Sequence, residues 1–458
     1  MTESPKPART KQRTKYMNEQ LKYLQSALQK NPELKYTLVL NLWQTDFLRF
    51  YQSQTNYNIS KDSSSLNATL YKGKKSCSFN IDHPDHPKID AALAAALEMI
   101  DAMPEDPDFV DIEDDLTLAE PRQIVNNIEA FSLDKKTRFL NDLATRAAQY
   151  DFELYGTFIC NYQRYHLLNS NGLDKTSTLS PIYLEVKAVH KDSQVTVLQT
   201  FGADDFKHFD EAAFGESLLR KIVLGQNPVV DVQPGEYEVI LAPRCVAEFA
   251  QYLSFGMRAQ AVDSHNSFFE GKVDQKLFPA MFSLTDDPAD PRMIRMDYGD
   301  QGHIYRPLKL IEGGYFRAFM CGQYFHHKLG LPKNGNLGAC LKVDCGAAKL
   351  PDMIASVKKG LYISSLHYMN FINARETSLT GLTRDGTFLI EDGKITKVVN
   401  NLRFTERISR IFENLIELED TAQTIPFSGN YAEFSVSSAK APHARVKGFN
   451  ISSSTRTI

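Results

Sequence analysis

Residues 242–272 read APRCVAEFAQYLSFGMRAQAVDSHNSFFEGK. The first half has a helical period. Val246, Phe249, Ala250, Leu253 and Met257 recur at i, i+3, i+4, i+7 and i+11, which is one helix face. Pro243 stands where helices often begin, because the first turn does not need its missing N–H. The second half is polar and rich in small residues and reads as a loop. The preceding YEVILAP is a strand pattern, so the unit is strand, helix, loop. Helices in this setting often carry catalytic or metal-binding side chains. This one carries Glu248, Gln251 and Ser254, and no histidine.

Around that unit, residues 236–458 are rich in short strands and Gly/Pro/Asn/Asp turns, as in RMDYGDQG, KLIEGGYFRAFM, GLYISSLHYM, GTFLIEDGKI and RVKGFNIS. Besides the first helix, TERISRIFENLIEL has a helical face, made of Ile408, Ile411, Phe412 and Leu415. A β-dominated sandwich or barrel-like domain is expected here. GGYFRAFMCGQYF, read as a strand, places Tyr315, Phe316, Phe319, Tyr324 and Phe325 on both of its faces.

Upstream, residues 17–228 predict an N-terminal α/β domain with a mostly antiparallel sheet, so the fold class is α+β. MNEQLKYLQSALQK, over 17–30, is an amphipathic helix with Leu21, Leu24 and Leu28 on one side. Aromatic and β-branched strands follow. Then come an alanine-rich helix (PKIDAALAAALEMIDAM), an acidic loop (PEDPDFVDIEDD) and a helix over 134–149. FELYGTFICNY and RYHLLNS read as two strands, and Asn171-Gly172 as a hairpin turn. NPVVDVQPGEY separates the two domains. Residues 1–16 read as a flexible basic tail, with Lys6, Arg9, Lys11, Arg13 and Lys15 against Glu3.

The chain has 458 residues, 42% hydrophobic and 24% charged, with a formal net charge of -4. Two domains fit that length. The charge argues against a nucleic-acid binder driven by phosphate contacts. No run of about 18 apolar residues occurs, so no membrane span is expected, and the tail lacks a secretory h-region. The six cysteines are scattered without a CxxC pair, which suits a reducing cytoplasm.

Motifs for self-contained chemistry are absent: no HExxH, G-x-S-x-G, P-loop or G-x-G-x-x-G. His83 and His86 sit in a proline-flanked loop. His326 and His327 are adjacent and, in a strand, would point apart. His303, His367 and His443 are isolated and read as surface or hydrogen-bonded residues. Cys340 and Cys345 lack a second close pair to complete a metal site. DYGDQG (297–302) reads as a tight turn, and Arg375, Arg384 and Asp385 as a polar turn or cleft rim.

The order of four segments is more specific than any of them alone. They are IDAALAAALEMIDAMPEDPDF, then VILAPRCVAEFAQYLS with SFFEGKV, then MDYGDQGHIYRPLKLIEGGYFRAFM, then GLYISSL with LTGLTRDGTFLIEDGKI. In this order the chain resembles the TldD/PmbA family of metalloproteases, once labelled modulators of DNA gyrase. In the TldD branch the helix bears HExxxH, and a late cysteine completes a zinc site. The resemblance places those histidines at Ala250 and Phe255, the glutamate at Gln251 and the cysteine near Ser435. Zinc needs about three protein ligands and an open position, which this set does not supply.

The resemblance therefore implies the TldE/PmbA-like branch, with no catalytic or metal residue in this chain. Its expected role is that of a cytoplasmic, non-metal-binding subunit acting on unfolded peptide with an HExxxH-bearing TldD-type partner, which would hold the zinc. Two rivals stay open. One is a stand-alone homodimeric peptide-binding protein without activity. The other is an autonomous hydrolase built on groups such as Asp297, His303 and His326.

Overall fold

The computed structural model describes residues 6–429 and 435–454. Of the tail expected over 1–16, residues 1–5 lie outside the described part. From Lys6 onward it is not a flexible tail but the start of a helix, Lys6–Leu28, which begins eleven positions before the expected residue 17. Arg13 anchors this first half, with an ion pair to Asp62 (3.0 Å) and a hydrogen bond to the Ser63 carbonyl (2.6 Å). Leu21, Leu24 and Leu28 anchor the second half by burial.

The first sheet has seven strands, all paired antiparallel. Its order is Lys75–Asp82, Gln54–Lys72, Lys35–Tyr51, Phe152–Asn169, Ile182–His190 and Thr196–Ala203, with Asp174–Leu179 paired beside Phe152–Asn169. Lys35–Tyr51 alternates inward and outward side chains, as a strand with one covered face must. Tyr36, Leu38, Leu40 and Leu42 join a core with the first helix and with Ile89, Leu93 and Ile100 of helix His86–Ala102. Further along that face, Leu48 and Phe50 meet Phe139 and Leu143 of helix Leu133–Ala148 and Leu218 and Ile222 of helix Glu211–Gly225. The other face presents Phe47, Ile159 and Tyr183, which pack on Ile294 and Val436 from the second half. Helices cover one side of this sheet and the second domain covers part of the other.

The second sheet has twelve strands. Five of them close a circuit: Gly235–Leu241 pairs with Lys359–Asn373, that with Ser378–Glu391, that with Leu402–Arg407, that with Ser435–Ser454, and that again with Gly235–Leu241. The expected barrel-like domain is thus present, and the fold class is α+β, antiparallel first and β-dominated second. Helix Pro243–Phe255 packs on this circuit. Phe249 lies 5.9 Å from the Phe404 ring and 6.2 Å from the Phe449 ring, centre to centre. Cys245, Val246, Ala247, Phe249, Ala250 and Leu253 are all buried, so the helix is covered on several sides.

Several local expectations give way to tertiary pairing. TERISRIFENLIEL is helical only over Ile408–Glu413. Its flanks are the strands Leu402–Arg407 and Leu415–Gly429, because ladders with neighbouring strands outweigh local propensity. The four residues of its helical face are still buried. GGYFRAFMCGQYF is a strand only at Tyr315–Phe316, and Gln323–Leu329 is a helix, which carries His326 and His327. Phe316 and Phe319 are buried within the chain, so this segment is not a two-faced strand. Phe152–Asn169 is one strand, not two. Val229–Val230, in the segment between the domains, already pairs with Lys394–Val399 of the second sheet. Among the described residues no helix is long and apolar enough to cross a membrane. All six cysteines are free, and five are buried.

Candidate functional site at the buried helix

The positions that the resemblance assigns to the zinc motif are spread over three environments. Ala250 is fully buried in the core of the second domain. Phe255 is half-buried in an aromatic group, 5.6 Å from Tyr252 and 6.1 Å from Phe371, with the Arg258 guanidinium 4.9 Å over its ring. Gln251 is half-buried between them in sequence, and Ser435 is exposed at the start of the last strand, paired with Gly429. Neither alanine nor phenylalanine has a donor atom for zinc, so this set does not fit the ion. Among the described residues no group of three or more His, Cys, Asp and Glu side chains could hold a metal.

The polar chemistry lies at the other end of the helix. Arg244 and Glu248 are one turn apart, with Nε and Oε1 separated by 3.1 Å. Burial pushes the Glu248 carboxyl up to about 7, although the Arg244 charge pulls the other way. Arg244 Nη1 is buried with no hydrogen-bond acceptor, and Nε reaches only the Glu248 carboxylate. Across from them, Lys221 of helix Glu211–Gly225 donates to the Leu198 carbonyl at 2.7 Å. Burial, with Arg244 and Arg220 close by, pulls its ammonium down to about 8.

Strand register builds the third part. Ile240 pairs with Tyr362, and Leu241 with Ala444, so Tyr362 and His443 flank the point where the strand turns into the helix. Tyr362 Oη lies 3.0 Å from His443 Nε2, and His443 Nδ1 lies 2.7 Å from Glu419 Oε2. An ionised carboxylate only accepts, so Nδ1–H donates to Glu419, while Nε2 and the tyrosine hydroxyl share the other hydrogen bond. Burial pushes the Glu419 carboxyl up, but the hydrogen bond and charge of His443 outweigh it and hold it below the ordinary value. Lys221, Arg244, Tyr362 and His443 line one cavity of about 300 Å³ between the two domains. The arrangement can hold an anion and orient a hydroxyl.

The other sequence candidates do not converge on it. Asp297 binds Arg122 Nε (2.6 Å) and the Ser177 hydroxyl (2.7 Å), joining the two domains. His303 faces Glu113 at 3.9 Å, and His326 Nδ1 lies 2.6 Å from the Leu331 carbonyl. His86 stacks on Tyr23 at 3.8 Å. Asp385 pairs with Lys187 at 3.0 Å. Of the isolated histidines, His443 is indeed hydrogen-bonded. Its partners stand 81 and 24 positions away in the chain, so no local motif could have revealed the group.

The arrangement of a mixed first domain and a β-circuit carrying a buried helix is shared with known proteins. Residues 234–453 match the PmbA/TldA metallopeptidase C-terminal domain. A zinc metalloprotease TldD homolog of Saccharolobus solfataricus is 24% identical over 249 residues, 51% of this chain and 56% of that one. A metalloprotease of Methanothermobacter thermautotrophicus is 19% identical over 246 residues, 51% of this chain and 53% of that one. The chain thus spans about half the length of the curated relatives it matches.

In structure, TldE from Thermococcus kodakarensis superposes with a TM-score of 0.81 at 18% identity, covering 91% of this chain and 96% of that one. A protein from Thermotoga maritima described as a modulator of a DNA gyrase also gives 0.81, at 15% identity, over 95% of this chain and 100% of that one. These likenesses show the fold. With the domain match, the class is a metallopeptidase-type fold. Residues 234–453 carry the C-terminal domain of the TldD/PmbA family, and the chain as a whole has the fold of its solved structures.

Proposed function

We propose that this chain is the non-metal-binding, TldE/PmbA-like subunit of a heterodimeric TldD/TldE-type metalloprotease that acts on unfolded peptides in the cytoplasm. The observation that carries the reading is the helix Pro243–Phe255. By the resemblance, the HExxxH positions of the catalytic branch would fall at Ala250, Gln251 and Phe255 of this helix, and no residue of the helix is a histidine. Zinc and the activating glutamate would then come from the partner. The chain's own work would be to complete the reaction chamber and to hold peptide as an added strand, which main-chain hydrogen bonds make tolerant of sequence. Five buried free thiols suit a reducing compartment.

Co-expression with an HExxxH-bearing relative tests the pairing. A stable complex that cleaves unfolded peptide, where neither chain does so alone, is the expected result. If the relative neither co-purifies nor gains activity, the pairing fails and a homodimeric peptide binder takes its place.

A further inference from the structure

The cavity between helix Glu211–Gly225 and the start of helix Pro243–Phe255 has a charge pattern that the subunit reading does not use. Three cationic side chains line it: Arg220, Lys221 and Arg244. Arg220 is exposed, and no ion pair to it is formed among the described residues. Lys221 has a carbonyl partner only. Arg244 pairs through Nε with Glu248 at 3.1 Å and feels the Glu185 charge, but its buried Nη1 lacks an acceptor. Buried donors left without partners are costly, and a guanidinium is best satisfied by a planar, two-oxygen anion.

The backbone adds to this field. The helices at His86, Leu133 and Glu211 are capped by the side chains of Asp85, Ser132 and Asp210. Helix Pro243–Phe255 has Ala242 in that place and no side-chain cap, and both Ala242 and Pro243 line the cavity. Its partial positive end therefore faces the same space as the three cations. The lining also includes the apolar side chains of Leu350, Ile354, Phe388 and Ile425. A volume of about 300 Å³ lies at the small end of ligand pockets.

We propose that this cavity binds the carboxylate of an apolar acid, with Arg244, Lys221 and Arg220 around the anion and the apolar lining against the side chain. A peptide ending in an apolar residue and a free branched-chain acid share this chemistry. A phosphate would use the cations but leave the apolar lining against a charged group. The assignment does not depend on a protease partner, since every residue in it belongs to this chain.

Calorimetric titration of the full chain tests it with three probes: N-acetyl-alanyl-leucine, its C-terminal amide, and isovalerate. The peptide acid should bind at least about tenfold more tightly than the amide, because the charge-assisted hydrogen bonds go to the carboxylate. Peptide acid tighter than isovalerate assigns the site to peptide C-termini, and equal affinity assigns it to free acids. Lys221→Met should weaken the acid by roughly tenfold and leave the amide unchanged. If that variant does not fold, Arg220→Ala, an exposed position, replaces it, with a smaller loss in the same direction. Acid and amide binding alike, neither binding at millimolar concentration, or an unchanged affinity in the folded variant would overturn the proposal. A failure here leaves the metal content and partner of the chain, and so the subunit reading, untouched.

Discussion

The two ends of helix Pro243–Phe255 differ in what their side chains do. Toward its C-terminus, Ala250 and Leu253 are core and Phe255 sits among aromatic rings. Toward its N-terminus, Arg244 and Glu248 are ionisable, paired and largely buried, and Arg244 lines an open cavity. The end that the resemblance would assign to zinc is packing. The end near the domain boundary holds polar groups whose burial is costly. A scaffold residue is replaced by any side chain that fills the space. An incompletely paired buried charge persists only where something offsets its desolvation.

The contrast can be broken first at the packing end. Leu253→Ala should destabilise the chain by about 2–5 kcal/mol, since it opens a void in a core that also holds Phe249, Phe404 and Phe449. Denaturant unfolding measures this, and a loss under about 1 kcal/mol would mean that the helix is not held by this core.

The polar end gives a smaller effect with a pH signature. The Glu248 carboxyl is raised to about 7 in the folded chain. Its ordinary value is about 4.3. Between these values the folded state keeps a proton that the unfolded state has lost. The group's contribution to stability is therefore full below about 4.3, falls as pH rises to about 7, and is flat above. Glu248→Gln removes that fall. The variant should gain on the unmodified chain between about pH 5 and pH 8, by at most about 3 kcal/mol. An unchanged difference across that range would show that Glu248 is ionised throughout. The least effect is expected at Gln251, which the resemblance assigns to the motif's glutamate. Gln251→Ala should change stability by no more than about 0.5 kcal/mol and leave peptide cleavage by the assembled complex nearly intact. A complex that folds normally but loses cleavage would make Gln251 part of the chemistry.

Much of the fold was legible in the sequence, and the reasons are local. The helix over Pro243–Phe255, the alanine-rich helix His86–Ala102 and the turn near Asn171-Gly172 follow from periodicity, composition and turn chemistry. Thr405–Leu418 was not legible, because its strands exist only through pairing with residues up to about fifty positions away. Lys6 to Tyr16 misread as a tail because its anchor, Arg13 on Asp62, lies in a distant strand. At the candidate site, the missing histidines are plain in the sequence. The cavity with Lys221, Arg244, Tyr362 and His443 is not, since strand register and domain packing alone bring those residues together.

The central claim is that this chain carries no zinc site of its own. It is tested most directly by the metal content of the purified chain, expressed alone, supplied with zinc and then freed of excess. The account predicts far less than one zinc per chain, with no change in unfolding on chelation. One zinc per chain, removed by a chelator with loss of stability or of peptide cleavage, would contradict it.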